Sequence, residues 1–213
     1  MIAGMQRIQP RPPVVTAFAL LFSIIFLAFI FSRTSFAIVQ ALEQFGFIPE
    51  KMLSVGEWYR IVSSLGIHEN SMFLAVEVLF LLVLGGPFEK RQGAQHFLVV
   101  FMGASLVSFI AFSLFAWGQG LVLTGSFAGI GGVVGAWVAE THGRKRVSHY
   151  GNVVVRDFEE LPALLVLALW LFVIFVLSIL FSADFFIYFS AVCIATFAGG
   201  VIHFAFTPKR GKL

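Results

Sequence analysis

Along this chain, helix-length stretches with no Asp, Glu, Lys or Arg alternate with short polar segments. Val14–Ser32 is the first such stretch. Residues 92–139 form one uncharged run too long for a single helix. It divides at Trp117-Gly118-Gln119-Gly120, where two glycines mark a turn. That division predicts one span over 97–117 and a shorter one over 125–138. Leu161–Phe181 and Phe185–Phe206 follow, separated by Ser182-Ala183-Asp184. A further apolar stretch, Ser71–Gly86, is interrupted only by Glu77. The pattern therefore predicts six spans, arranged as an all-α bundle. A bilayer core takes about 20 helical residues, so the second and fourth spans are short. A short span predicts a helix that starts inside the protein after a re-entrant segment. Here residues 118–124 would dip in ahead of the fourth helix.

Composition narrows the class. The 213 residues are 59% hydrophobic and 12% charged, and 27 are Phe. A soluble domain carries about 25% charged residues, so a soluble enzyme, a disordered tail and a nucleic-acid module are excluded. The partner this composition requires is a lipid bilayer. Residues 14–206 read as one membrane domain, with tails at 1–13 and 207–213. The first apolar run reads as a retained span rather than a cleaved signal peptide, because it is long and lacks a small-residue cleavage site. With six spans, one side of the membrane receives eleven of the 14 basic residues. These are Arg7, Arg11, Lys90, Arg91, Arg144, Lys145, Arg146, Arg156, Lys209, Arg210 and Lys212. Arg33, Lys51 and Arg60 fall on the other side. The positive-inside rule then places both termini in the cytoplasm. A bacterial plasma membrane is the expected location, with a eukaryotic internal membrane as the alternative.

Few residues in these spans can carry chemistry. Cys193 is the only cysteine, so neither an internal disulfide nor a cysteine-based zinc site can form. No two histidines have the i,i+4 spacing of a helical metal pair, so no metal and no cofactor is expected. His142 and His149 lie in the basic 139–160 loop, and His68 and His96 lie near span ends. Ser105, in Gly103-Ala104-Ser105, reads as helix packing. Glu77 is the one acidic residue well inside a span, and such carboxylates are costly there. Arg60 and backbone groups of the fourth span are its candidate partners. The long 33–70 loop, with Phe36, Phe45, Phe47, Trp58 and Tyr59, reads as an amphipathic cap on the bilayer. Small residues form ridges for close helix approach. Ala128, Gly132 and Ala136 make one, Gly131 and Gly135 its neighbour, and Ala191, Ala195 and Gly199 a third.

Four segments, in order, resemble the rhomboid family of intramembrane serine proteases. Gly56-Glu57-Trp58-Tyr59-Arg60 resembles its Trp-Arg segment, carrying Trp58 and Arg60. Gly86-Pro87-Phe88-Glu89-Lys90-Arg91-Gln92-Gly93 resembles its Gly-x-x-x-Glu-x-x-x-Gly stretch, with Glu89 and Gly93. Gly125-Ser126-Phe127-Ala128-Gly129-Ile130-Gly131-Gly132-Val133-Val134-Gly135-Ala136 is similar to its GASGAIFGLLGA pattern. Ala195-Thr196-Phe197-Ala198-Gly199-Gly200 is similar to its Ala-His-x-Gly-Gly pattern. The resemblance covers roughly residues 14–206 and implies a six-helix rhomboid fold.

The catalytic positions implied by the resemblance do not hold catalytic residues. With Gly125, Gly132 and Gly135 on the family glycines, Phe127 occupies the serine position. The register through Gly199 and Gly200 puts Phe197 at the histidine. The oxyanion-side positions, aligned through His68 and Phe80, fall on Phe73 and Glu77. Ser126 and His203 are the outside candidates for a dyad, but they lie toward opposite ends of their helices. The resemblance then implies a pseudoprotease that binds transmembrane segments of client proteins. The alternatives are a rhomboid endopeptidase with an unorthodox site and a small transporter or channel centred on Glu77. Oligomeric state is left open. If the register holds, Phe127 and Phe197 lie side by side with centroids about 4.5–7 Å apart, closing the site to water.

Overall fold

The computed structural model describes residues 12–31, 35–52, 56–69, 71–142, 149–150, 153–154, 163–181 and 184–206. Both charged tails and most of the basic 139–160 loop lie outside these residues, and so does the expected orientation. The described helices are α1 (Pro13–Phe31), α2 (Ser35–Phe45), α3 (Arg60–Ser63), α4 (Ser71–Phe80), α5 (Gly86–Gln92), α6 (Ala94–Ala116), α7 (Phe127–His142), α8 (Ala163–Phe181) and α9 (Phe185–Phe206). The only strands among the described residues are β1 (His149–Tyr150) and β2 (Val153–Val154), an antiparallel pair. Four continuous helical stretches are long and apolar enough to cross a membrane, and two further apolar helices are shorter. The protein is an integral membrane protein built as a polytopic helical bundle.

The second span is longer than its sequence pattern predicts. From Ser71 to Gln92 the helix is continuous over 22 residues, because a π turn at Leu81–Gly85 joins α4 to α5. The wider π turn lets Pro87 fall near the start of α5, where a missing N–H is tolerated. The polar segment after it then shrinks to Gly93, whose φ of 89° reverses the chain directly into α6. The fourth span is short, as expected: α7 has 16 residues.

α7 lies in the middle of the bundle, packed against α6, α8 and α9. Its contact with α9 is backbone to backbone. A Cβ on Gly199 would collide with the backbone of Gly132, and one on Gly135 with the carbonyl of Thr196. A Cβ on Gly132 would also strike Ala104 of α6. In lipid, where apolar side chains gain little by leaving solvent, this close approach is what holds helices together.

The segment between α1 and α4 is fastened to the bundle rather than only lying on the bilayer. Phe47 is 1% exposed and stacks on Phe109 at 4.5 Å. Its backbone exchanges two hydrogen bonds with Leu123, at 3.0 and 2.8 Å. Arg60 closes the end of α2, donating from Nη1 to the carbonyls of Glu43 (2.8 Å) and Gly46 (2.9 Å) while pairing with Glu57. Tyr59 and Ser63 donate to the Gln44 and Phe45 carbonyls. The orphan carbonyls of a helix end are thus satisfied by side chains. Arg60 is therefore not the partner of Glu77. Trp58 stays 58% exposed.

Glu89 does the corresponding work at the start of α1. Its carboxylate accepts from the N–H groups of Val14 (3.0 Å) and Val15 (2.8 Å), where the helix dipole also favours negative charge. Glu89 is buried. Replacing it with Ala removes two hydrogen bonds to a charged group and should destabilise the bundle by about 3 kcal/mol. Reversible unfolding in mixed micelles measures this, and an unchanged unfolding curve would deny the cap its role.

Candidate functional site

The N-terminus of α7 opens inside the bundle, and its first donors need acceptors there. Glu77, from the middle of α4, supplies one. Its Oε1 accepts the Ser126 backbone N–H at 2.9 Å, and its Oε2 accepts the Ser126 hydroxyl at 2.6 Å. Glu77 and Ser126 are both fully buried. Gly125 is shaped by the same contact. Its φ is +82°, and a Cβ on it would run into Glu77 Oε1. Its own N–H donates to the Ser64 carbonyl at 2.9 Å. Of the candidate partners for Glu77, the fourth-span backbone is the one in place.

His68 completes the cluster. Its Nε2 lies 2.6 Å from Glu77 Oε2, and its Nδ1 lies 3.2 Å from the Gly66 carbonyl. A carbonyl only accepts, so Nδ1 carries a hydrogen. One further proton then sits between Nε2 and the carboxylate, giving either imidazolium with carboxylate or imidazole with carboxylic acid. Both arrangements are neutral overall, which suits a pair with no solvent contact. Burial works against the charged imidazolium, but the Glu77 carboxylate and the hydrogen bonds outweigh it, and the His68 pKa is raised. Phe22 packs against the ring at 5.6 Å.

Beside this cluster lies a cavity of about 60 Å³ lined by Glu69, Thr124, Ser178, Tyr188, Phe73 and Phe127, among others. That is space for a few waters. Thr124 donates to Glu69 at 3.2 Å, while burial pushes the Glu69 carboxyl up. Tyr188 donates to the Val122 carbonyl at 2.7 Å, fixing the segment that leads into α7.

The aromatic residues at the family positions are not arranged as the sequence pattern predicts. Phe127 packs edge-on against Phe73, centroids 5.5 Å apart, and against Trp170 at 6.3 Å. Phe197 is 77% exposed on the outer side of α9. The expected Phe127–Phe197 pair is therefore corrected to Phe127–Phe73. The α9 residue that meets α7 is Thr196, one position earlier. One residue on a helix is about 100° of rotation, enough to turn Phe197 out to lipid. The Thr196 hydroxyl donates to the Val192 carbonyl (2.9 Å) and accepts from Trp170 Nε1 (3.2 Å). His203 sits beside His96, their ring nitrogens 3.0 Å apart, far along α9 from Ser126. Among the described residues no group of three or more His, Cys, Asp or Glu is placed to hold a metal.

The sequence pattern missed the His68–Glu77 pair. Its signal was available: a carboxylate inside a span requires a polar partner, and His68 immediately precedes that span. Because the folded His68 pKa is raised, its protonated form contributes stability fully below its ordinary value of about 6.5. That contribution is lost as pH rises through the raised folded value. Thermal unfolding midpoints should fall as pH is taken upward from 6.5, and His68→Gln should flatten this slope. An identical slope in the variant would assign it to another group.

The sequence signature of the Rhomboid domain matches residues 55–209, well over half of the chain. Rhomboid protease GluP of Bacillus subtilis (strain 168) is 27% identical over 77 residues, which cover 36% of this chain and 15% of that relative. The match thus takes in a small part of a longer protein.

Proposed function

The chain belongs to the rhomboid family, and we propose that it is a member that does not cleave peptide bonds but binds transmembrane segments of client proteins. The observation that carries the first half is the hydrogen bonding of Ser126. Acyl transfer needs, besides a base for the hydroxyl proton, donors free to receive the developing oxyanion, and it is this second requirement that weighs against hydrolysis here. Ser126 gives both its hydroxyl and its N–H to Glu77, and Gly125 gives its N–H to Ser64. A substrate oxyanion at this place would meet a carboxylate instead of donors. Thr196 on the facing helix offers no base, and Phe127 and Phe73 narrow the adjoining space to a cavity of about 60 Å³.

The second half is supported by the outer surface. A groove of about 660 Å³ opens between α8 and α9 and is lined almost entirely by apolar side chains, including Leu164, Leu167, Phe197, Val201 and Phe204. Its floor contains Gly135, Ala139 and Gly200, small residues of the kind against which transmembrane helices pack closely.

The relative named as a protease, and the position of Ser126 just ahead of α7, favour an alternative: a rhomboid-type serine endopeptidase in which Glu77 takes the Ser126 proton. The two readings separate on a serine-directed fluorophosphonate probe and a rhomboid transmembrane substrate. We expect no labelling and no cleavage. Labelling and cleavage that both vanish in Ser126→Ala would establish the enzyme instead. For client binding, a photo-crosslinking side chain at Val201 should capture single-span membrane proteins in native membranes several-fold more than one at Leu20. Leu20, on α1, is equally open to lipid at 59% exposure, against 53% for Val201. Equal capture at the two sites would remove the client-binding half.

A further inference from the structure

At the opposite end of the bundle from Ser126, a second polar contact, between a half-buried and a buried histidine, links two distant helices. His96 stands in the first turn of α6 and His203 in the last turn of α9. His96 Nε2 and His203 Nδ1 are 3.0 Å apart, and the rings are perpendicular with centroids 5.1 Å apart. His203 is 3% exposed. Phe88 of α5 packs on both rings, at 5.8 and 5.9 Å.

Two ring nitrogens at hydrogen-bond distance have room for one hydrogen between them. The contact survives with both imidazoles neutral, one donating to the other. It also survives with one imidazolium donating to a neutral imidazole. It cannot survive with both protonated, since two N–H groups would then face each other and two like charges would sit side by side, one of them on the buried His203. The charged surroundings on the packed elements are few. Glu140 of α7 is buried, acts electrostatically on His96 and forms an ion pair with Arg91 of α5 at 3.5 Å. α5 also brings Lys90 and Glu89, the latter held by the Val14 and Val15 N–H groups; the described residues of α1 and α8 include no ionisable side chain, α6 brings only His96, and α9 brings Tyr188 and Cys193 besides His203. A carboxylate such as Glu140, already paired with Arg91, eases the charge of an imidazolium but does not remove the clash of two N–H groups that face each other.

We propose that the His96–His203 pair is a proton-sensitive latch that fastens the end of α9 to α6 at neutral pH and releases it on double protonation. The release acts on the helix whose other face, at Phe197, Val201 and Phe204, lines the groove beside α8. The latch does not depend on what occupies that groove, nor on whether the protein is a protease.

Histidines titrate between about pH 5 and 8, so the test compares the two ends of that range. Hydrogen exchange of the α9 backbone over residues 200–206, corrected for the intrinsic pH dependence of exchange, is measured in the full-length protein in detergent. Protection at low pH should fall roughly tenfold or more relative to neutral pH. His96→Gln and His203→Gln should each remove most of this pH dependence. His68→Gln should leave it intact, since His68 lies at the other end of the bundle. Should either variant fold poorly, ¹⁵N-histidine NMR of the unaltered protein gives an independent reading. A shared N–H···N hydrogen bond between the two rings should be present at neutral pH and absent at low pH. Protection that does not change with pH, or a pH dependence equal in the histidine variants, overturns the latch. So does a ring-to-ring hydrogen bond that persists at low pH.

Discussion

The bundle is organised around one carboxylate. Glu77 lies within a membrane span, fully enclosed, where an unpaired negative charge would be prohibitively costly. It is tolerated because three donors converge on its two oxygens: the Ser126 N–H, the Ser126 hydroxyl and His68. Each donor in turn fixes something larger. Ser126 sets where α7 begins, and His68 ties down the segment that precedes α4. Gly125 must remain a glycine for the carboxylate to reach, both for its φ and for the space a Cβ would take. A helix N-terminus buried without solvent needs such an acceptor, and a short fourth helix is the geometric result.

That beginning of α7 dictates its register against α9. Once Ser126 is pinned, Gly132 and Gly135 fall opposite Gly199 and Thr196, and the two backbones touch. The contact leaves no room for a large side chain on the facing surfaces. Phe197 is accordingly turned outward, while Thr196, small and self-satisfied through Val192 and Trp170, occupies the inner position. Packing therefore decides which residue of α9 faces the polar cluster, and the residue it selects carries no ionisable group.

Much of this was readable from the chain. Runs of uncharged residues located six apolar helices, because charge is excluded from lipid far more stringently than any residue type is required there. The glycine ridges were readable for a similar reason: small residues at i,i+4 have few other uses in a membrane helix. What could not be read was register to a single residue. The register through Gly199 and Gly200 puts Phe197 inward, but which residue of α9 faces α7 is set by the three-dimensional contact of Gly199 with Gly132. The continuation of α4 into α5 was hidden because Pro87 reads as a helix breaker, and the π turn that accommodates it has no sequence signature of its own. The role of Arg60 was misjudged because a buried carboxylate and a nearby arginine suggest an ion pair. The carbonyls left open at the end of α2 proved the stronger claim on its guanidinium.

The two ends of the bundle use histidine in opposite ways, and the difference follows from what each histidine faces. At the α7 N-terminus, His68 meets a carboxylate, so the contact itself favours the proton held between them. At the other end, His203 meets His96, so the first added proton is accommodated and the second is not. A falling pH should therefore keep the polar cluster around Ser126 intact while loosening the join between α6 and α9. The backbone contact between α7 and α9 lies between these points and contains no titratable group, since Gly132, Gly135, Thr196 and Gly199 carry none. It can act as the fixed element about which the end of α9 moves, leaving the start of α7 undisturbed.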